Sequence, residues 1–277
     1  MAPYRFPGPI CQTRDWFEAL DDGTLVRMRS PLPSPVGMAG SGGPAQAPAS
    51  GACSFLNPRL SGTVRAPQAE FDRLRGSSGA ARISPARSRT SQTWQDGSSS
   101  AAVEQEIQID NRTIRVIRPT DPEAAGKNLP TTAQLAEALR AIPANQLAHT
   151  NTVILSPRAH PGSTPTRTIA GEAGSGEITL FPTNGAQSQN DFDNRLMHES
   201  GHNYQGSLWR SAQGVQEWRT AAAADNRLPS PYAGENTGDD FCEFNILYNT
   251  ARGTSCEATA RQLYPNRWRK MVDYQSP

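Results

Sequence analysis

Lysine is nearly missing from this chain. Of 27 basic residues only Lys127 and Lys270 are lysine, and the rest are arginine. Together with abundant Ala, Gly and Pro, that bias reads as the codon supply of a GC-rich bacterial genome and carries no functional meaning. An excess of charge of either sign is also lacking: the formal net charge of +1 provides neither a basic field for nucleic acid nor an acidic one. Nucleic acid is therefore not an expected partner. No run of about twenty apolar residues occurs, so no membrane span is expected. The first twenty residues have no basic start followed by an apolar core, which gives no support to a cleaved secretory signal. Cysteine is sparse, with four residues and no C-x-x-C pair. Cys242 and Cys256 are close enough in sequence to bridge, but buried thiols in a reducing cytosol are the expectation.

Apolar residues are scarce overall, at 36%, and Gly and Pro number 23 each. A chain of 277 residues has room for one or two domains, yet much of it does not read as packed core. Asp15 to Leu20 has the length of one helical turn. From Ser30 to about Ala101 the sequence is rich in Ser, Gly, Pro, Ala and Arg, too poor in apolar area to offset chain entropy. Residues 1–101 are accordingly expected to be a disordered leader, and residues 102–277 the folded domain. The apolar islands Phe55-Leu56 and Phe71 to Leu74 read as docking points for a partner or as local clusters.

Periodicity begins near Val103. Glu104 to Ile109 and Thr113 to Ile117 alternate polar and apolar around Asp110-Asn111-Arg112, predicting a β-hairpin. Thr131 onward predicts an amphipathic helix with Leu135, Ala138, Leu139 and Ile142 on one face. Thr152 to Ser156 and Ile178 to Phe181 read as strands. Beyond residue 208 the pattern turns helical over 208–225, 239–250 and 256–274, with a break at Pro265.

Between the strands and the helices lies Arg195-Leu196-Met197-His198-Glu199-Ser200-Gly201-His202, which contains H-E-x-x-H. Residues four apart share one helix face, so His198 and His202 can present two imidazole nitrogens to one Zn²⁺ with Glu199 beside them. A catalytic zinc takes three protein ligands and leaves one position for water, whose proton Glu199 would accept. Ser200 and Gly201 lie away from the histidines and are small enough for a neighbouring element to pack closely. The third ligand is sought among the acids of Asp239-Asp240-Phe241-Cys242-Glu243. Asp239 and Glu243 share a helix face, so one can bind metal while the other orients a histidine. Asp239, Glu243 and Asp240 all remain candidates, and the acids also suit a helix N-terminus capped by Thr237.

The pattern His198 to Tyr204 plus Asp239 to Glu243 resembles the zincin metalloproteases that bacteria deliver into host cells. The catalytic domain of anthrax lethal factor is similar in its tyrosine, ligand acid and second acid, which fall here on Tyr232, Asp239 and Glu243. Clostridial neurotoxin light chains are similar in the motif helix and a downstream acidic ligand. The overall plan looks like the HopH/XopG class of type III effectors, over roughly residues 150 to 275. One departure is that lethal factor and the neurotoxins use glutamate as third ligand where this chain has aspartate. The resemblance implies an α+β zincin-like fold: a small mixed-sheet lobe, the motif helix and a helical C-terminal lobe after the leader. It further implies a zinc endopeptidase acting on a host protein in the host cytoplasm, with Tyr232 donating to the developing oxyanion. The leader would then serve type III-like secretion and meet a secretion chaperone. The alternative is a non-catalytic host-protein-binding effector with a structural zinc.

Overall fold

The computed structural model describes residues 16–19, 25–28, 51–57, 62–120, 128–164 and 167–275. Its central feature is a mixed sheet of seven strands: β3 (Arg82–Ile83), β4 (Arg87–Thr93), β5 (Ser99–Ile109), β6 (Arg112–Pro119), β7 (Thr152–Leu155), β8 (Gly171–Gly174) and β9 (Glu177–Leu180). The spatial order is β3-β5-β6-β7-β9-β8, with β4 also paired to β5. β5 and β6 form the expected hairpin, Ile109 opposite Arg112, and Asp110 in the turn takes a left-handed φ of 51°. β6, β7 and β9 run parallel, and β8 returns antiparallel to β9 as the edge strand. The first pair of strands, β1 (Trp16–Ala19) and β2 (Leu25–Met28), forms a separate antiparallel ribbon where one helical turn was expected.

Alternation sends Ile107, Ile109, Ile114, Val116, Val153, Leu155, Ile178 and Leu180 to one face of the large sheet, where the helices cover them. These helices are α1 (Gln68–Arg75), α2 (Thr132–Arg140), α3 (Ala144–Leu147), α4 (Gln189–Leu208), α5 (Ala212–Asp225), α6 (Thr237–Ala251), α7 (Glu257–Leu263) and α8 (Pro265–Gln275). α2 starts at a capping box made by Thr131 and Gln134 and buries Leu135, Ala138 and Leu139, as its period predicts. α6 is buried along almost its whole length. Pro265 opens α8, where its missing N–H costs nothing, and separates that helix from α7. The class is α+β, with a sheet layer and a helical layer.

The expected leader boundary at residue 101 is not where the fold begins. Leu56, Val64, Ala66 and Phe71 are all buried in the main core. α1, β3, β4 and the first residues of β5 precede residue 102. Composition misled here because a few apolar side chains, spaced widely in a polar background, are sufficient when the rest of the domain supplies the core they enter. The islands at Leu56 and Phe71 thus dock onto this chain itself. The expected disorder of residues 1–50 lies outside the described residues, save for the two strands of the ribbon.

Nor are all the cysteines thiols. Cys53 and Cys256 form a disulfide across 203 residues, their Cα atoms 5.5 Å apart. Cys53 lies in a 3₁₀ segment, Gly51–Leu56, that packs on the start of α7, so the fold brings the two thiols together although no sequence spacing announces it. Cys242 is buried and stays outside the disulfide.

Candidate metal centre

α4 carries the motif, and its own sequence sets its start. Ser188 caps it by accepting from the Asp191 N–H, and the Asp191 side chain returns the bond to Ser188. Twenty residues then run without a break, which places His198 and His202 on one side, ring centroids 5.0 Å apart. α6 crosses α4 at Gly201, where an added Cβ would stand 3.1 Å from Cys242 Sγ and 3.4 Å from its Cα. The small residue in the motif is therefore what lets α6 approach.

That approach delivers Asp239. Asn236 caps α6, accepting from Asp239 N–H at 2.8 Å and donating through Nδ2 to Asp239 Oδ2 at 2.6 Å. The cap is Asn236 and not Thr237, which is the first helical residue. With Oδ2 held, Oδ1 turns to the histidines, 3.4 Å from His198 Nε2 and 3.5 Å from His202 Nε2. One turn on, Glu243 Oε1 lies 2.9 Å from His198 Nδ1. Its other oxygen accepts from Ser230 Oγ at 2.6 Å and from the Val64 N–H. Two donors thus fix the carboxylate that fixes His198. Val64 belongs to residues 62–66, which run past the site: Gly62 C=O accepts from Tyr232 N–H at 2.8 Å, and Asn194 Oδ1 accepts from Ala66 N–H at 2.9 Å.

Asp240, the remaining acid considered as a ligand, faces elsewhere. It accepts from Arg267 Nε at 2.9 Å, from Arg267 Nη2 and from Trp218 Nε1 at 2.8 Å. A carboxylate tied to a buried guanidinium and an indole is a structural anchor between α5, α6 and α8. Tyr232 stands beside the site, its ring centroid 5.7 Å from that of His198.

Comparison with known proteins returned no matching family model, curated protein or solved structure.

His198, His202 and Cys242 place donor atoms within 4.8 Å of one another, so the structure holds a group capable of binding a metal. Asp239 and Cys242 thus compete as third donor. Asp239 has one oxygen facing both Nε2 atoms, whereas the Cys242 thiol packs against Gly201 inside the helix contact and is fully buried. The carboxylate is the better placed of the two. No metal-ligand spacing marks Cys242 in the sequence, and only the helix contact brings it beside the histidines.

Burial favours neutral forms throughout. For Asp239 the bonds to His198 and His202 outweigh it and hold the carboxyl well below its usual range. For His198 burial is likewise outweighed by Asp239 and Glu243, which raise its pKa well above the ordinary value. Glu199 behaves differently: burial raises its pKa, and the nearby histidines only moderate the effect. Its carboxylate makes no hydrogen bond and no ion pair among the described residues, and it rests against edge strand β8, where a Cβ on Gly171 would come within 2.4 Å of Glu199 Oε1. A carboxyl with a raised pKa and no fixed partner is suited to proton transfer.

Proposed function

We propose that this chain is a zinc-dependent endopeptidase, with His198, His202 and Asp239 as protein ligands and Glu199 as general base. The observation that carries this reading is the placement of Asp239 Oδ1 at 3.4 and 3.5 Å from the two Nε2 atoms. A tetrahedral zinc with bonds of about 2.1 Å separates its ligand atoms by about 3.4 Å, and the carboxylate already stands at that separation from both imidazoles. When bound, zinc would lower the pKa of a coordinated water and polarise a scissile carbonyl. Glu199 takes the water's proton and passes it to the leaving amine. Glu243 holds His198 by Nδ1 and leaves Nε2 for the metal. Tyr232, beside His198, donates a hydrogen bond to the developing oxyanion. β8 is the edge of the sheet and lies against Glu199, so an extended peptide can add to it as a further strand.

That the substrate is a host protein, and that a type III-like system delivers the enzyme to host cytoplasm, rests on the resemblance alone. The Cys53–Cys256 disulfide weighs toward an oxidising compartment for at least part of the protein's life.

Cys242 favours a second reading. Two histidines, Asp239 and Cys242 together would make a closed four-ligand site, the mark of a structural zinc in a non-catalytic binding protein. Metal content and peptide hydrolysis of Glu199→Gln separate the two. The enzyme reading expects about one zinc per chain in both proteins and a loss of about 10²-fold or more in turnover. Unchanged hydrolysis would sink it, as would a thiolate-to-metal charge-transfer band in the cobalt-substituted protein that disappears in Cys242→Ala.

A further inference from the structure

Serines ahead of a turn commonly accept from the backbone amides that follow them. Ser230 does so: it precedes Pro231 and the 3₁₀ turn Tyr232–Gly234, and its Oγ accepts from the Ala233 N–H at 3.2 Å. Its own proton goes elsewhere. A hydroxyl has one hydrogen to give, and with the Ala233 amide on its lone pair that hydrogen is directed to Glu243 Oε2, 2.6 Å away and 13 residues along the chain. Ser230 and Glu243 are each 1% exposed, so bulk solvent does not supply this bond in the hydroxyl's place.

The bonds form a chain that leads to the histidine. Ala233 N–H donates to Ser230, Ser230 donates to Glu243, and the other oxygen of Glu243 stands 2.9 Å from His198 Nδ1. Bonds in series inside a protein strengthen one another, and the direction of each is set by the one before. The amide at the head of the chain belongs to the same short turn as Tyr232, whose ring lies 5.7 Å from that of His198. Residues 62–64 brace the same two parts, with Val64 N–H on Glu243 and Gly62 C=O accepting from Tyr232 N–H. Loss of the hydroxyl would therefore weaken the link without severing it.

We propose that Ser230 is a positioning residue, tying the turn that carries Tyr232 to the carboxylate behind His198, so that one hydroxyl sets both a zinc ligand and the oxyanion donor. The role given to Tyr232 rests on the peptidase reading of the site, whereas the link to His198 rests on the metal ligands alone. Ser230 acts only through Glu243 and Ala233. Nothing in the local sequence Pro229-Ser230-Pro231 announces this role, because the carboxylate that receives the proton lies on another element.

The test uses the full chain. Zinc affinity is measured by competition with a chromophoric chelator for the wild-type protein, Ser230→Ala, Glu243→Ala and the double variant. Ser230→Ala is expected to weaken zinc binding about tenfold, the low end for a partner that orients a ligand, because the Val64 N–H remains. In the Glu243→Ala background the same change should have no further effect, since the hydroxyl then has no carboxylate to hold. A merely structural loss would add in full in both backgrounds. Hydrolysis of a quenched fluorescent peptide library, read at saturating zinc, should slow about tenfold in Ser230→Ala and no further when Tyr232→Phe is already present. Unchanged zinc affinity in Ser230→Ala, or a loss of the same size with and without Glu243, overturns the proposal, as does a rate loss that adds in full to that of Tyr232→Phe. Zinc coupling as expected with no cleavage by the wild-type protein would leave Ser230 assigned to His198 and sink the peptidase reading. Cleavage without zinc coupling would do the reverse.

Discussion

Single residues divide the acids of α6 into three roles. In the proposed zinc site, Asp239→Ala would remove one of three protein bonds to the metal and is expected to abolish tight retention in dialysis. Glu243→Ala would remove only the orientation of His198, an effect of about 10- to 100-fold on affinity or activity. Asp240→Ala is expected to be the most damaging to the fold, because it leaves Arg267, 1% exposed, without its principal partner; breaking such a buried pair costs about 3 to 5 kcal/mol, read as a drop in thermal midpoint. Zinc loss from Glu243→Ala together with zinc retention by Asp239→Ala would reverse the first two roles. His198 adds a dependence on pH. In the metal-free chain, burial is outweighed by Asp239 and Glu243, and the folded pKa is raised. Such a group contributes stability in full below its unfolded value of about 6.5, and the contribution is lost as pH rises through the folded value. Zinc binding needs neutral imidazoles, so it follows the opposite slope. EDTA-treated protein should therefore melt at lower temperature as pH is raised above about 6.5, while zinc affinity increases over the same interval. Parallel trends would mean that His198 is not held by these two carboxylates. His198, Glu199 and His202 were legible because their relation is local to one helix. The Val64 N–H on Glu243 was not, since any residue but proline supplies the same group and no side chain marks it.

Whole elements show the same division. The β5–β6 hairpin, α2 and the capped start of α4 were legible because each buries one face and so imprints its period on the sequence. β4 left no such imprint: Arg87–Thr93 is mostly exposed on both faces and is held by its ladder to β5. β8, with the sequence Gly-Glu-Ala-Gly, has neither length nor β-propensity and exists by pairing with β9. That unpromising strand is nevertheless where Glu199, the proposed general base, rests. Gly171→Ala would drive its methyl into the end of the Glu199 side chain, a flexible group that must then move. Zinc content is expected to be unchanged, while a displacement of about 1 Å at the reacting group lowers turnover by up to about 10²-fold. Full activity in that variant would show that Glu199 does not work from the position it occupies here.

At the scale of the molecule, the two ends of the described fold are fastened together. On the chain-entropy estimate a disulfide closing 203 residues restricts the unfolded state by about 5 kcal/mol, at the upper end of what such bonds deliver. A fragment beginning at residue 102 would lose Cys53, Val64, Phe71, α1, β3 and β4, and is expected neither to fold cooperatively nor to retain zinc. One beginning at residue 51 should do both, and circular dichroism with metal analysis distinguishes the outcomes. A zinc-binding, folded 102–277 fragment would restore the boundary suggested by composition. The bond from Val64 to Glu243 spans 179 residues, and it has a consequence for how the protein comes into being. Residues 62–66 leave the ribosome early, yet Ser230, Asp239 and Glu243 emerge only after most of the chain has been made. Contacts of such high sequence separation form late and slowly. A nascent or threaded chain consequently has histidines but no finished pocket around them, and the proposed hydrolytic centre is complete only when the beginning of the domain meets its end.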